Sequence, residues 1–571
     1  ELGMSFYQPL EDYQNRLCFK LFGMNHPIPL SDVLPILENL GFRVIAEHSH
    51  EVTLSEENKI WINEFDMLLA SADHIDVDNV RNIFQDAFAK VWVGEAENDG
   101  FNRLVLLSKI DWRETAMLRT YAKYFKQIGF TFSQLYIANT LTRYPKIAKA
   151  LVDLFHIRFK PTDVQSAAHY KEKINAITTA LDEVKNIDED RILRQYLHAI
   201  RATLRTNFYQ QDEMAQKPKA YISIKLNPSS IPDVPLPHPA FEIFVYSPRF
   251  EAVHLRAGKV ARGGLRWSDR REDFRTEVLG LMKAQQVKNA VIVPTGAKGG
   301  FVPKLLGNLT SREEIMKEVI SCYSTFIRGM LDITDNLNGS EVVPPKDVVR
   351  HDKDDTYLVV AADKGTATFS DIANGIAKEY NFWLGDAFAS GGSHGYDHKK
   401  MGITARGAWE SVRRNFRELN KNPDTESFTA VGIGDMSGDV FGNGMLLSNK
   451  MQLIAAFNHQ HIFIDPKPNM IASFEERNRM FNLPRSSWED YDTKVISEGG
   501  GVFNRSSKTI KISPQAKAVL DVKKSTLTAN ELVRAILKAP VDLLWNGGIG
   551  TYVKSAKERN TDVGDRSNDA V

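Results

Sequence analysis

Cysteine is nearly absent: Cys18 and Cys322 are the two in 571 residues. They lie far apart and neither belongs to a CxxC pair, so a disulfide framework and a zinc knuckle are both excluded. No metal is expected, and a reducing, cytoplasmic compartment is. Net charge is absent too, since 72 Lys+Arg balance 72 Asp+Glu. Nucleic-acid binding draws on a basic excess, so only a local basic site remains open and no nucleic-acid partner is expected. No apolar run approaches the ~20 residues of a spanning helix, so no membrane span is expected. Glu1 is not followed by a charged-then-apolar leader, so no signal peptide is read. The chain does not begin with Met and ends on a polar stretch, which reads as a piece of something longer. Internal repeats and low-complexity tracts are missing as well.

What is present is ordinary globular material. Apolar residues make up 43% and charged residues 25%, which excludes disorder as the dominant state. The length exceeds what one core organises, so several domains are expected. Residues 15–93 read as strand–helix–strand–strand–helix: alternating Leu17, Phe19 and Leu21, a helix from Ser31 to Gly41, strands at 42–48 and 59–69, then a helix at 80–91. That order suggests a small ferredoxin-like α+β module. Residues 100–210 show helical apolar spacing and no chemistry. Beyond the Pro-rich 227–239 stretch, strands alternate with helices in α/β fashion. A second α/β block begins near Ser427.

The chemistry concentrates in 261–301. Arg262 precedes two glycines. Lys288 ends an amphipathic helix before an apolar strand at 290–293. Lys298 follows that strand, in what reads as a loop between Gly296 and Gly299-Gly300. The end of a strand in an open α/β sheet is a ligand site, and glycines let a substrate come close to the lysine. Several cations around one cleft suit a small dianion, one per carboxylate, with one lysine left for catalysis. Neighbouring positive charge and exclusion of water both favour a neutral amine, so Lys298 is a candidate general base. Solvated surface charge is the competing reading for each cation singly. A P-loop is excluded, because Gly299 stands where Ser or Thr would follow the lysine.

Two further motifs stand out. The short strand at 356–361 ends in Asp363, which reads either as a turn residue or as a proton carrier beside the cationic site. At 427–444 an apolar strand runs into Gly432-x-Gly434-x-x-x-Gly438 and then a helix, a variant of the dinucleotide turn. The strand His461–Ile464 ends in Asp465, the residue type that holds a ribose hydroxyl. Asp435 inside the turn works against a pyrophosphate by repulsion. A last strand at 541–545 leads into Asn546 and its glycines, expected at the same crevice.

Together these motifs resemble glutamate dehydrogenase, and most closely its large-subunit NAD-dependent bacterial class. The resemblance implies a multidomain α/β chain: an ACT-like regulatory α+β domain over 1–98, a helical region over 99–215, an α/β substrate domain over 216–425 and a Rossmann-like NAD domain over 426–571. Arg262-Gly-Gly-Leu-Arg stands where the smaller enzymes carry a lysine that grips the substrate side-chain carboxylate. Lys288 matches the lysine on the α-carboxylate, Lys298 the catalytic lysine and Asp363 the catalytic aspartate. Lys400 replaces an arginine near the substrate, and Thr404 would touch the nicotinamide amide. The family serine on the side-chain carboxylate would lie beyond Val571. The implied reaction is NAD-dependent oxidative deamination of L-glutamate to 2-oxoglutarate by a homo-oligomer, a tetramer or hexamer. The alternatives are a dehydrogenase for another amino acid and a non-catalytic regulatory or assembly fragment.

Overall fold

The computed structural model describes residues 2–9, 16–55, 59–70, 76–161, 167–212, 216–289, 295–361, 367–393, 397–484, 486–548 and 553–559. Side chains at 284–289, 361 and 367 are outside that description. The chain divides into two compact units, one of residues 1–363 with 372–389, the other of 364–371 with 390–571. The division falls earlier than residue 425, so the helix at 403–418 belongs to the second unit.

The first unit opens with strands β1 (Gly3–Tyr7) and β2 (Leu17–Met24), helix α1 (Leu30–Asn39), strands β3 (Phe42–Thr53) and β4 (Lys59–Leu69), and helix α2 (Val77–Trp92). The antiparallel order is β1-β2-β4-β3. The expected strand–helix–strand–strand–helix run is present, and residues 3–7 supply the fourth strand beside β2. Alternation sends Phe19, Leu21, Phe65 and Met67 into one core with the helices, where Phe84 and Phe88 meet Phe19 edge-on.

Helices α3 (Trp112–Gln127), α4 (Gln134–Arg143), α5 (Pro145–Phe159), α6 (Ala167–Asp182) and α7 (Ile187–Ala202) follow. Asp111 and Glu114 form a reciprocal cap at the start of α3. These helices share one apolar core with the next sheet, so they cover it rather than stand apart.

That sheet contains β5 (Thr203–Thr206), β6 (Ile222–Leu226), β7 (Phe241–Tyr246), β8 (Phe250–Arg256), β9 (Ala261–Arg262) and β10 (Leu265–Trp267). Helix α8 (Phe274–Asn289), strand β11 (Thr295–Pro303) and helix α9 (Arg312–Leu331) come next. Among the described residues the order is β9-β11-β8-β7-β6-β5, with β10 also on β11. Strands β5 to β8 and β11 are antiparallel, and β9 and β10 run parallel to β11. The pairing is mainly antiparallel, and Lys298 lies inside a strand instead of the expected loop. The expected strand at 290–293 lies outside the described residues.

The last elements of this unit are β12 (Val360–Ala361), helix α10 (Ala367–Glu379), whose start belongs to the second unit, and β13 (Ala389–Ser390) at the division. The second unit continues with α11 (His398–Met401), α12 (Ile403–Glu418), β14 (Phe428–Ile433), α13 (Asp439–Gly444), β15 (Met451–Phe457), β16 (His461–Ile464), α14 (Met470–Asn482), β17 (Gly501–Asn504), α15 (Ala529–Leu537) and β18 (Leu543–Asn546). The sheet order is β17-β16-β15-β14-β18. Strand β14 runs parallel to β15 and β18, while β16 and β17 are antiparallel. Both faces are covered: Phe428 and Ala430 pack with Trp409, Phe441 and Trp545, while Val431 and Ile433 pack with Leu532 and Ile536 of α15. Burial on both faces accounts for the unbroken apolar run of β14.

Candidate active site

Register decides which candidates meet. Arg262 pairs with Gly296 in parallel register, and Leu265 with Gly299. Residues opposite each other share a face, and faces alternate along a strand. Arg262, Gly296 and Lys298 therefore share one face of the sheet. Val302, two steps on from Gly300, packs in the core with Val278, Leu279 and Met282 of α8. That face is thus the one under α8. Phe301 points the other way, against Tyr323 and Phe326 of α9. Arg266 confirms the alternation by pairing with Glu277 of α8 at 3.1 Å.

Lys298 is 7% exposed and Arg262 is half-buried. Lys288 occupies the last turn of α8, on the same side of the sheet, with its side chain outside the described residues. Asp363 also lies outside the described residues. The glycines of 296–300 serve close packing. A Cβ on Gly299 would sit 2.4 Å from Leu265 Cδ2, and one on Gly300 would sit 2.6 Å from Val278 Cγ2. A Cβ on Gly263 would sit 1.5 Å from the carbonyl oxygen of Ala297. Glycine here lets strands β9, β10 and β11 and helix α8 approach one another.

In the second unit, Gly434 stands at the C-terminal end of β14 with φ of +137°, which favours glycine. Gly432 and Gly434 also make room for Phe441, whose ring carbon Cε2 would meet a Cβ on Gly432 at 2.5 Å. Gly438 is the residue before α13, and its N–H donates to Asp435 O at 3.1 Å. Asp435 is absorbed by the turn: its Oδ1 accepts from Ser437 N at 3.1 Å and its Oδ2 from Asn458 Nδ2 at 2.9 Å. Sequence reasoning missed Asn458 and Trp488, whose indole N–H donates to Gly434 O at 3.0 Å. Neither belongs to a motif; only the fold brings them to the turn.

Asn546 pairs with Ile433, so it does share the edge with Gly434. Strand β14 has β15 on one side and β18 on the other, all three parallel, which is the switch-point arrangement where α/β sheets take ligands. Lys400 and Thr404 are exposed, on α11 and at the start of α12. The junction between these helices packs on α13, where Asn443 Nδ2 donates to Lys399 O at 2.7 Å.

The expectation for Asp465 is corrected. Strand β16 is antiparallel to β15, so its end points away from the glycine turn. Asp465 N donates to Ile454 O, three residues before the end of β15, about 10 Å from the edge at ~3.3 Å per residue. The side chain is buried and accepts from Ser497 N at 3.1 Å and from Ser497 Oγ. Burial pushes its carboxyl above the usual range. Among the described residues no group of three or more His, Cys, Asp and Glu could hold a metal, and no helix is long and apolar enough to cross a membrane.

The model for the bacterial NAD-glutamate dehydrogenase catalytic domain matches residues 176–571. The chain belongs to the bacterial NAD-glutamate dehydrogenase family. Models for the glutamate dehydrogenase ACT3 domain and helical motif 3 match residues 1–80 and 96–161. The chain is 60% identical to the NAD-specific glutamate dehydrogenase of Pseudomonas aeruginosa over 100% of its length. It is 58% identical to that of Halomonas elongata over 100%, and 52% identical to that of Mycobacterium tuberculosis over 95%. It spans 35% of the length of each of these relatives.

Proposed function

We propose that this chain carries the catalytic part of an NAD-dependent glutamate dehydrogenase, converting L-glutamate, NAD and water into 2-oxoglutarate, ammonia and NADH. One observation carries the reading: Arg262 and the buried Lys298 share the sheet face under α8, the helix whose last turn carries Lys288. Relatives named NAD-specific glutamate dehydrogenases support the same substrate and cofactor.

Such a face suits a dianion. Arg262 takes the side-chain carboxylate and Lys288 the α-carboxylate, which fixes the direction of the Cα–H bond. Orientation of this kind contributes several kcal/mol to the barrier reduction. NAD, when bound, accepts the Cα hydride. Starting from the α-ammonium, loss of one N–H proton and of that hydride leaves an iminium. Lys298, as a neutral amine, takes a proton from the water that attacks the iminium carbon. Asp363 delivers a proton to the nitrogen, its carboxylate takes back the hydroxyl proton as the C–N bond breaks, and ammonia leaves a ketone behind.

The second unit is the Rossmann-like NAD domain in this reading. Gly432, Gly434, Gly438, Thr404 and Asn546 serve the cofactor, and Lys400 the substrate side. The parallel trio β15-β14-β18 supports it. Residues 1–98 are the ACT-like regulatory domain, and the whole protein is a cytoplasmic homo-oligomer, a tetramer or hexamer.

Lys298→Ala should abolish glutamate-dependent NADH formation and leave NAD binding intact. Arg262→Ala should weaken glutamate far more than an apolar amino acid. Unchanged turnover in the first variant, or equal effects on both substrates in the second, would refute the assignment.

A further inference from the structure

A cluster of buried charge lies behind the strand that carries Lys298. Arg205, Lys225 and Arg256 and the acids Asp335, Asp352 and Asp355 meet on the sheet face opposite α8. Arg256 Nη1 donates to Asp355 Oδ1 at 2.9 Å, and its Nη2 bonds the other oxygen. Lys225 Nζ donates to Asp355 Oδ2 at 2.6 Å and also bonds Asp352. Arg205 Nε donates to Asp352 Oδ1 at 2.6 Å and its Nη2 to Asp335 Oδ2 at 3.0 Å. Asp355 N donates to Asp335 Oδ2 at 2.7 Å, and Asp335 N to Asp355 O at 3.0 Å.

Burying charges is costly, and well-packed apolar side chains are often as stable. What ions supply here is placement. Residues 351–359 form neither helix nor ladder strand. Their backbone is held by other groups: Tyr357 O accepts from Arg256 Nη1 at 2.9 Å, Lys353 O from Arg205 Nη2 at 3.0 Å and Asp354 O from Lys259 Nζ at 2.9 Å. The segment then continues through buried Leu358, Val359 and Val360 toward position 363. On its other side Arg256 belongs to β8, paired with Ala297, and its neighbour Leu255 is paired with Lys298. One guanidinium thus bonds the chain leading to Asp363 to the strand beside Lys298.

We propose that Arg256 and Asp355 are positioning residues for the dehydrogenase reaction, locking the segment that leads into Asp363 to the strand paired with Lys298. The inference rests on the proposed roles of Lys298 and Asp363. Neither Arg256 nor Asp355 touches substrate, since both lie on the far face of the sheet.

The test is steady-state kinetics of the full chain carrying Arg256→Lys, alone and combined with Asp363→Asn. Lysine keeps the charge, so the acids retain a counterion, but it loses the two-pronged grip and the bond to Tyr357 O. The expected result is a fall in kcat of about 10- to 100-fold, the scale of ~1 Å misplacement. KM for glutamate should stay within about twofold, and the pH profile of kcat should shift. In the Asp363→Asn background the fall in kcat should vanish, because coupled groups are non-additive. Arg256→Met with Asp355→Leu removes one charge of each sign and guards against misfolding. It should keep the wild-type thermal transition and show the same fall in kcat. An equal fall with and without Asp363→Asn overturns the inference, as does a loss confined to KM, or wild-type kcat in the double variant. Wild-type turnover in Asp363→Asn alone would instead locate the failure in the role of Asp363, and the inference would fall with it.

Discussion

Gly263→Ala is the sharpest single perturbation of the substrate face. The added Cβ would lie 1.5 Å from Ala297 O and 2.3 Å from Ala297 C. Real contacts of this kind are at least ~3 Å, so the two backbones must separate by about 1.5 Å, and no side-chain rotation relieves it. Overpacking against side chains costs about 1–3 kcal/mol. Here the obstacle is backbone, and the Gly299 N–H to Gly264 O bond at 3.0 Å stands beside it. Losing one or two such bonds adds about 1 kcal/mol each, for a total of about 2–5 kcal/mol. That is a large part of a domain's stability. Lys298 would move with its strand, so turnover should fall about 100-fold or more even in the molecules that stay folded. Thermal melting and glutamate-dependent NADH absorbance measure the two effects. Gly375→Ala is the control, since a Cβ there meets nothing within 4 Å and the residue lies inside α10. It should be neutral or stabilise by about 0.5–1 kcal/mol. A Gly263→Ala protein with wild-type melting and turnover would refute the packing argument.

Three further predictions concern charge. Burial alone would raise the Glu97 carboxyl, but Lys304, Lys123 and Arg119 outweigh it and hold it down to about 2. A depressed carboxyl adds stability above its unfolded pKa of ~4.5 that is lost as pH falls toward 2, here about 2–3 kcal/mol. Glu97→Gln should therefore weaken the protein at pH 7 and flatten its acid limb in melts taken from pH 7 to 3; an unchanged limb would refute it. Burial, with Arg256 nearby, pushes His254 down to about 3, and among the described residues neither ring nitrogen has a partner. Only the unfolded chain takes up this proton between ~6.5 and 3, so stability drops with pH across that window. His254→Leu should reduce the slope there, measured by the same melts, and an equal slope would count against it. Asp465→Ala should leave the KM for NAD within about twofold and lower the melting temperature, because the Ser497 N–H and hydroxyl lose their acceptor. A marked rise in that KM, or new use of NADP, would restore the ribose role.

Much of the organisation was legible along the chain. The 3.6-residue spacing of 112–202 marked helices, and the alternation of Leu17, Phe19 and Leu21 marked a half-buried strand, because both patterns record which face meets the core. The strand–turn–helix at 428–444 stood out through its glycines. Strand direction was not legible. His461–Ile464 reads the same parallel or antiparallel, and its direction moved Asp465 from the cofactor edge to the interior. The glycines around Lys298 suggested a loop, but the partners that need them, Leu265 and Val278, are chosen by the sheet.

Local sequence determined which residues carry charge, which faces are apolar and which points of the backbone need glycine, because each of these depends on a residue and its near neighbours. Tertiary structure decided which cations share a face, which acid is absorbed by a serine, and how three cations and three acids come to be buried behind Lys298. Those outcomes depend on strand order and direction, which are set by burial summed over the whole sheet and leave no mark on any single segment.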